Sequence, residues 1–116
     1  MSLRPVMITC DSTDPLPLGR WWADQTGGEV IAENDGWFSV VQLSSGPRLA
    51  FQKVDDPTPG KNRVHLDLEA EGDLDAEAER LVTSGAERLN EQTMGGFRWI
   101  VMADPDGNLF CISSAH

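Results

Sequence analysis

Cysteine is scarce in this chain. Cys10 and Cys111 are the two it has, and neither belongs to a CxxC pair. Long apolar runs are missing as well: the longest are strand-length, which excludes a transmembrane helix. No charged segment leads into an apolar one at the start, so no signal peptide is expected and a reducing, cytoplasmic setting is. Bases are few, 9 against 19 acids, for a formal net charge of -10. Such a surface repels a phosphate backbone, which argues against nucleic acid and leaves a cationic or neutral small molecule as partner. The acids are scattered, and their first role is to keep the protein soluble. There is no GxGxxG, no Walker sequence, no HExxH, no nucleophile elbow and no low-complexity segment.

What the chain does have is a repeat of pattern. Residues 7–30 and 65–88 run in parallel at a distance of 58: Met7 falls on His65, Asp11 on Glu69, Trp21 on Glu79, Gly27 on Gly85 and Glu29 on Glu87. Each copy reads as an alternating strand, an acidic turn, an amphipathic helix, a small-residue stop and further strands. Two copies are too few for a solenoid and suggest a duplicated module whose halves pair around a cleft. With 116 residues, 40% of them hydrophobic and including 4 Trp and 4 Phe, one domain with an ordinary core is expected.

Residues 6–11 form a first strand. Ser12-Thr13-Asp14-Pro15 opens a helix, with Pro near the first position where its missing N–H costs nothing. Leu18, Trp21, Trp22 and Gln25 follow at helical spacing until Gly27-Gly28, with one Trp expected in the core and the other over a sheet edge. Strands over 29–33 and 37–43 flank a turn at Asn34-Asp35-Gly36, and a fourth strand covers 48–54. Residues 55–62, with two Pro and a Gly, form a joint. Module one therefore spans about 5–54 and module two about 63–114.

Residues 63–70 alternate cleanly. Val64, Leu66, Leu68 and Ala70 share one face, and Arg63, His65, Asp67 and Glu69 the other. Gly72-Asp73 caps a helix with Leu74, Ala78, Leu81 and Val82 inward, and Ser84-Gly85-Ala86 ends it. Strands at 87–91, 98–103 and 109–113 complete a second βαβββ unit. Met94-Gly95-Gly96-Phe97 reads either as a mobile loop over the cleft or as a simple hairpin connection. Asp104-Pro105-Asp106-Gly107-Asn108 lacks the length and distal Glu of a calcium loop and reads as a β-turn that aims the last strand.

Three segments carry a family resemblance: the run from Lys61 to Leu68, the Ser84-Gly85-Ala86 helix end, and Asp104-Pro105-Asp106-Gly107-Asn108-Leu109-Phe110-Cys111. Together with the repeat they resemble the vicinal oxygen chelate superfamily, in its branch of glyoxalases, extradiol dioxygenases and bleomycin- or fosfomycin-resistance proteins. The resemblance covers nearly the whole chain. It implies an α+β fold of two βαβββ modules, the glyoxalase/bleomycin-resistance/dihydroxybiphenyl-dioxygenase fold, with sheets curved around a cleft. It also implies a homodimer, since relatives often pair.

Metal-using relatives take one ligand from the first and one from the last strand of each module. Those positions here are Met7, a residue near Phe51 or Gln52, His65 and Cys111. Met7 is a poor ligand for a hard cation, and Cys111 suits zinc better than magnesium. His65 is the one standard ligand, with Gln52 and Cys111 as weak partners. On the cleft face, His65 and Asp67 would stand about 6–7 Å apart at Cα, which suits a water-bridged acid–base pair; a salt bridge from Asp67 to Arg63 or Arg48 is the alternative. Cys111 reads as a cleft-facing group or a small buried hydrophobe. Cys10 and Cys111 fall on opposite sheet faces, so no disulfide is expected. Trp37, Phe51 and Trp99 supply an aromatic lining. The implied function is binding of a small organic molecule in that cleft, of the bleomycin-resistance type and without a cofactor. The alternatives are a lyase, isomerase or dioxygenase using a divalent metal at His65, or metal-free catalysis by His65 with Asp67.

Overall fold

Each half of the repeat builds the same four-stranded sheet. The computed structural model describes residues 4–60, 62 and 64–114, and the chain divides into two units between Pro59 and Gly60. The expected places of Lys61 and Arg63 lie outside the described residues. Module one consists of β1 (Met7–Ser12), α1 (Pro15–Thr26), β2 (Glu29–Ala32), a 3-10 turn (Asn34–Gly36), β3 (Phe38–Gln42) and β4 (Arg48–Lys53). Module two consists of β5 (Leu66–Glu69), α2 (Leu74–Thr83), β6 (Glu87–Met94), β7 (Phe97–Ala103) and β8 (Leu109–Ser113). The strand orders are β1-β4-β3-β2 and β5-β8-β7-β6. In both, the first strand runs parallel to the last and the remaining pairs are antiparallel.

The two copies drift in register. Gly27 and Gly85, with φ 68° and 114°, follow the two helices 58 residues apart. Gly46 and Gly107, with φ 80° and 87°, turn the chain before each last strand at a distance of 61. Among described residues, no helix is long and apolar enough to cross a membrane.

In module one, Leu18, Trp22 and Ala23 of α1 are buried at helical spacing. Gly19 lets this helix close onto the sheet: a Cβ there would come 2.1 Å from Ser39 Oγ on β3. Ser12 Oγ accepts the Asp14 N–H at 3.0 Å ahead of the helix, and Pro15 begins it. Trp22 is core, and half-buried Trp21 meets it edge to face with ring centroids 5.0 Å apart. The Asn34-Asp35-Gly36 connection is a 3-10 turn with three successive positive φ values, 45°, 54° and 87°.

In module two, Asp73 caps α2 by accepting the Ala76 N–H at 2.9 Å. Leu74, Ala78 and Leu81 are buried, but Val82, expected inward, is 46% exposed. At about 100° per residue Val82 falls at the edge of a stripe that Leu74, Ala78 and Leu81 already fill. Ile100 and Met102 of β7 and Phe110 and Ile112 of β8 complete this core. Strand β6 runs three residues beyond the expected 87–91. It pairs with β7 out to Met94 opposite Phe97, so Gly95 and Gly96 (φ 56° and 82°) close a two-residue hairpin. Successive positive φ is what such turns require, and of the two readings of this segment the hairpin connection is the one present. Strand β5 is shorter than the expected 63–70, and Val64 is 75% exposed.

Candidate functional site

Alternation on β8 decides where the site lies. Phe110 and Ile112 are buried at 2% and 3% exposure, so Leu109, Cys111 and Ser113 turn to the opposite face of the sheet. Strand register carries that face across the module. Asp67 pairs with Cys111, Cys111 with Val101, and Val101 with Asn90. A second row sets Glu69, Ser113, Trp99 and Gln92 side by side. Above these rows opens a cavity of about 670 Å³, lined among others by His65, Asp67, Phe97, Trp99 and Cys111. Phe97 and Trp99 stack with centroids 6.0 Å apart and planes at 29°. One wall is thus aromatic, and the β5–β8 side carries the groups with chemistry.

His65 Nδ1 lies 3.1 Å from Asp67 Oδ1, with side chains 41% and 57% exposed. The contact is direct, closer than the water-bridged pair that was one of the two readings of Asp67. Cys111, half-buried, joins them: the ligand atoms of His65, Asp67 and Cys111 all lie within 4.8 Å of one another. An imidazole nitrogen, a carboxylate oxygen and a sulfur in one corner fit a divalent transition-metal ion by donor type. Neither cysteine forms a disulfide.

The entry of His65 into β5 is fixed by Asn62. Its Oδ1 accepts the Leu109 N–H at 2.8 Å, and its Nδ2 donates to the carbonyls of Leu109 (3.2 Å) and Val64 (2.5 Å). The side-chain amide thus does for β8 what a strand neighbour would. The following turn is equally fixed: buried Asp104 accepts from the N–H groups of Asp106 and Asn108 and from Asn108 Nδ2 at 2.8–2.9 Å. This turn aims β8, and so Cys111, as the sequence indicated.

Module one holds the other expected residues. Phe51, expected in an aromatic lining, is 2% exposed and packs beside Gly19 under α1, because β4 turns Leu49 and Phe51 to the helix. That places it in the core, which corrects the expectation. Gln52 points the other way and is exposed. Trp37 is 64% exposed, with Lys53 Nζ 5.6 Å over its ring. Arg48, one expected partner of Asp67, donates to Gln42 Oε1 at 2.8 Å. The sequence reading missed Phe97 and Val101, although counting by twos from Trp99 reaches both. It missed Asn90 and Gln92 for another reason: a register shift between Arg88 and Asn90 sets their facing and leaves no periodic signal.

The helix-side face of the same sheet carries an ion network. Arg98 donates to Asp75 Oδ1 at 2.5 Å and to both Glu91 oxygens at 2.8 and 2.9 Å, and Arg88 reaches Asp75 and Glu91 at 3.6 and 3.2 Å. Hydrogen bonds from Arg98 hold the carboxyls of Asp75 and Glu91 below their ordinary values.

Comparison with known proteins agrees with this architecture. The sequence profile of the glyoxalase-like domain matches residues 7–113. No curated protein matches the sequence. Among solved structures, a glyoxalase/bleomycin resistance protein/dioxygenase family enzyme from Burkholderia phytofirmans PsJN superposes with a TM-score of 0.77 at 14% identity, over 95% of this chain and 97% of its own. A glyoxalase-related enzyme from Fulvimarina pelagi gives 0.74 at 22% identity, over 98% and 89%. A lactoylglutathione lyase from Agrobacterium tumefaciens gives 0.70 at 13%, over 95% and 92%. The chain belongs to the glyoxalase-like domain family, within the vicinal oxygen chelate superfamily.

Proposed function

We propose that module two binds a small organic molecule in the cavity over its sheet, with an apolar, flat portion against Trp99 and Phe97 and a polar end at His65, Asp67 and Cys111. The observation that carries this reading is the cavity itself. Its volume of about 670 Å³ falls in the range of small-molecule sites, which combine an apolar wall with a few convergent polar groups. The net charge of -10 favours a cationic ligand by raising its concentration near the protein. Binding of the bleomycin-resistance type, a homodimer and a cytoplasmic setting belong to the same proposal.

Within the cavity the chain's own groups have separate tasks. Trp99 and Phe97 orient the ligand by stacking and keep water from its flat face. The Asp67 carboxylate, 3.1 Å from His65 Nδ1, favours a proton on that nitrogen and so helps orient the imidazole. His65 Nε2 is then the basic nitrogen, able to accept a proton or a hydrogen bond from the ligand.

The convergence of His65, Asp67 and Cys111 favours a second reading, in which these residues hold a divalent metal for a lyase, isomerase or dioxygenase reaction. Gln52 is not needed to complete this set of three. A bound metal would supply Lewis-acid polarisation of a ligand oxygen. The first reading is tested by tryptophan fluorescence with N-methylquinolinium, a flat cationic probe. Saturable quenching is expected in the wild type and its loss in Trp99→Ala; equal binding by Trp99→Ala and wild type contradicts the reading.

A further inference from the structure

We infer that His65, Asp67 and Cys111 form a nitrogen–oxygen–sulfur site that takes zinc, with cobalt as its surrogate, in preference to magnesium or manganese, and that Asp67 is itself a ligand. This rests on the metal reading above and adds to it the choice of ion. All three donors come from module two: His65 at the entry to β5, Asp67 two residues on along the same face, and Cys111 opposite Asp67 in the β5–β8 ladder. Asp67 lies on β5, the first strand of module two, but two residues beyond His65, the ligand position that the resemblance implies there. The fold brings it to the corner because strand period 2 puts it on the face of His65 and parallel register puts it beside Cys111.

The distances suit this role. Zinc binds nitrogen at about 2.0–2.1 Å, oxygen at about 2.0–2.2 Å and sulfur at about 2.3 Å, so neighbouring donors in a tetrahedron are roughly 3.3–3.6 Å apart. His65 Nδ1 and Asp67 Oδ1 are already 3.1 Å apart. The widest separation in the trio, 4.8 Å at most, closes by rotation of side chains that are partly exposed. Three protein donors leave one tetrahedral position for water or a ligand from the cavity.

Donor chemistry then selects the ion. Magnesium demands near-octahedral oxygen ligands and keeps its waters, and this corner offers one carboxylate among softer groups. Thiolate and imidazole suit zinc and cobalt.

The test is a cobalt titration of the chelator-treated, full-length protein, followed by absorption. A near-ultraviolet thiolate-to-cobalt charge-transfer band is expected, with intense visible bands of tetrahedral cobalt. Zinc should abolish both in stoichiometric amount, and millimolar magnesium should leave them unchanged. Cys111→Ser should remove the charge-transfer band. Asp67→Ala, at an exposed position, should weaken cobalt binding by more than the roughly 10–100-fold that loss of an outer-shell partner costs. Circular dichroism of each variant checks that it is folded. Cobalt binding without the thiolate band, displacement by magnesium, or an Asp67→Ala protein that binds as the wild type would each overturn the inference while leaving a metal site in place. Failure of cobalt, zinc and magnesium alike to bind would overturn the metal reading with it.

Discussion

The Nδ1 atom of His65 lies 3.1 Å from Oδ1 of Asp67, two residues further along the same strand face. Side chains at such positions normally stand side by side without touching. Here they lean together, and Cys111 approaches both from the neighbouring strand. This corner is the polar end of the proposed site.

Under the proposal, a cationic ligand takes the Asp67 carboxylate as its charged contact. Asp67→Asn keeps the shape and removes the charge. It should weaken N-methylquinolinium by about 0.2–1 kcal/mol, the usual worth of an exposed ion pair, and leave neutral quinoline unaffected. Calorimetry with the two probes, at low and high salt, checks this. Equal losses for both would assign Asp67 a role other than charge.

Asn62 holds the approach to His65 through its paired bonds to Leu109. Asn62→Ala should cost about 1–3 kcal/mol in urea unfolding, because the Leu109 backbone groups lose their partner. It should also speed hydrogen exchange at the Leu109 amide. Unchanged exchange there would remove Asn62 from this role.

Gly19→Ala would ordinarily stabilise a helix by about 1 kcal/mol. Here the new methyl meets Ser39 Oγ at 2.1 Å and Ser39 Cβ at 2.9 Å, and overpacking of about 1–3 kcal/mol should win. Ser39 Oγ is buried with no hydrogen-bond partner among the described residues, so Ser39→Ala alone should be neutral or stabilising. The double variant should recover part of the Gly19→Ala loss. Thermal unfolding of the four proteins tests the coupling; strict additivity would deny the contact.

The ion network predicts an acid dependence. Asp75 and Glu91 titrate below their ordinary values of 3.8 and 4.5 because Arg98 hydrogen-bonds both. A depressed folded-state value gives stability that is full above the unfolded value and lost as pH falls through the folded one. Unfolding free energy should therefore decline on acidification from about pH 5. Arg98→Ala should lower stability at neutral pH, flatten that decline and weaken its salt sensitivity. A parallel pH profile for variant and wild type would exclude the network as the source.

The duplicated βαβββ order was legible because Gly27 and Gly85 stop two helices at the same phase, and because Asp73, Pro15 and the 104–108 turn are local signals. His65, Asp67 and Cys111 were each legible by strand parity. Their closeness was not, since it depends on β5–β8 register, a non-local property. Phe51 was misplaced because Phe51 and Gln52 are adjacent, and a shift of one residue reverses facing. Val82 was misplaced because a helical stripe has edges that sequence spacing does not mark. Asn62 was read as linker, since nothing local shows that its amide pairs with a strand 47 residues away.

The most direct test of the cavity's role is an NMR titration of the nitrogen-15-labelled, full-length chain with N-methylquinolinium. The account predicts saturable shifts clustered at His65, Asp67, Trp99 and Cys111, with the Trp99 indole N–H among the largest. Shifts confined to module one, or none that saturate, would contradict it.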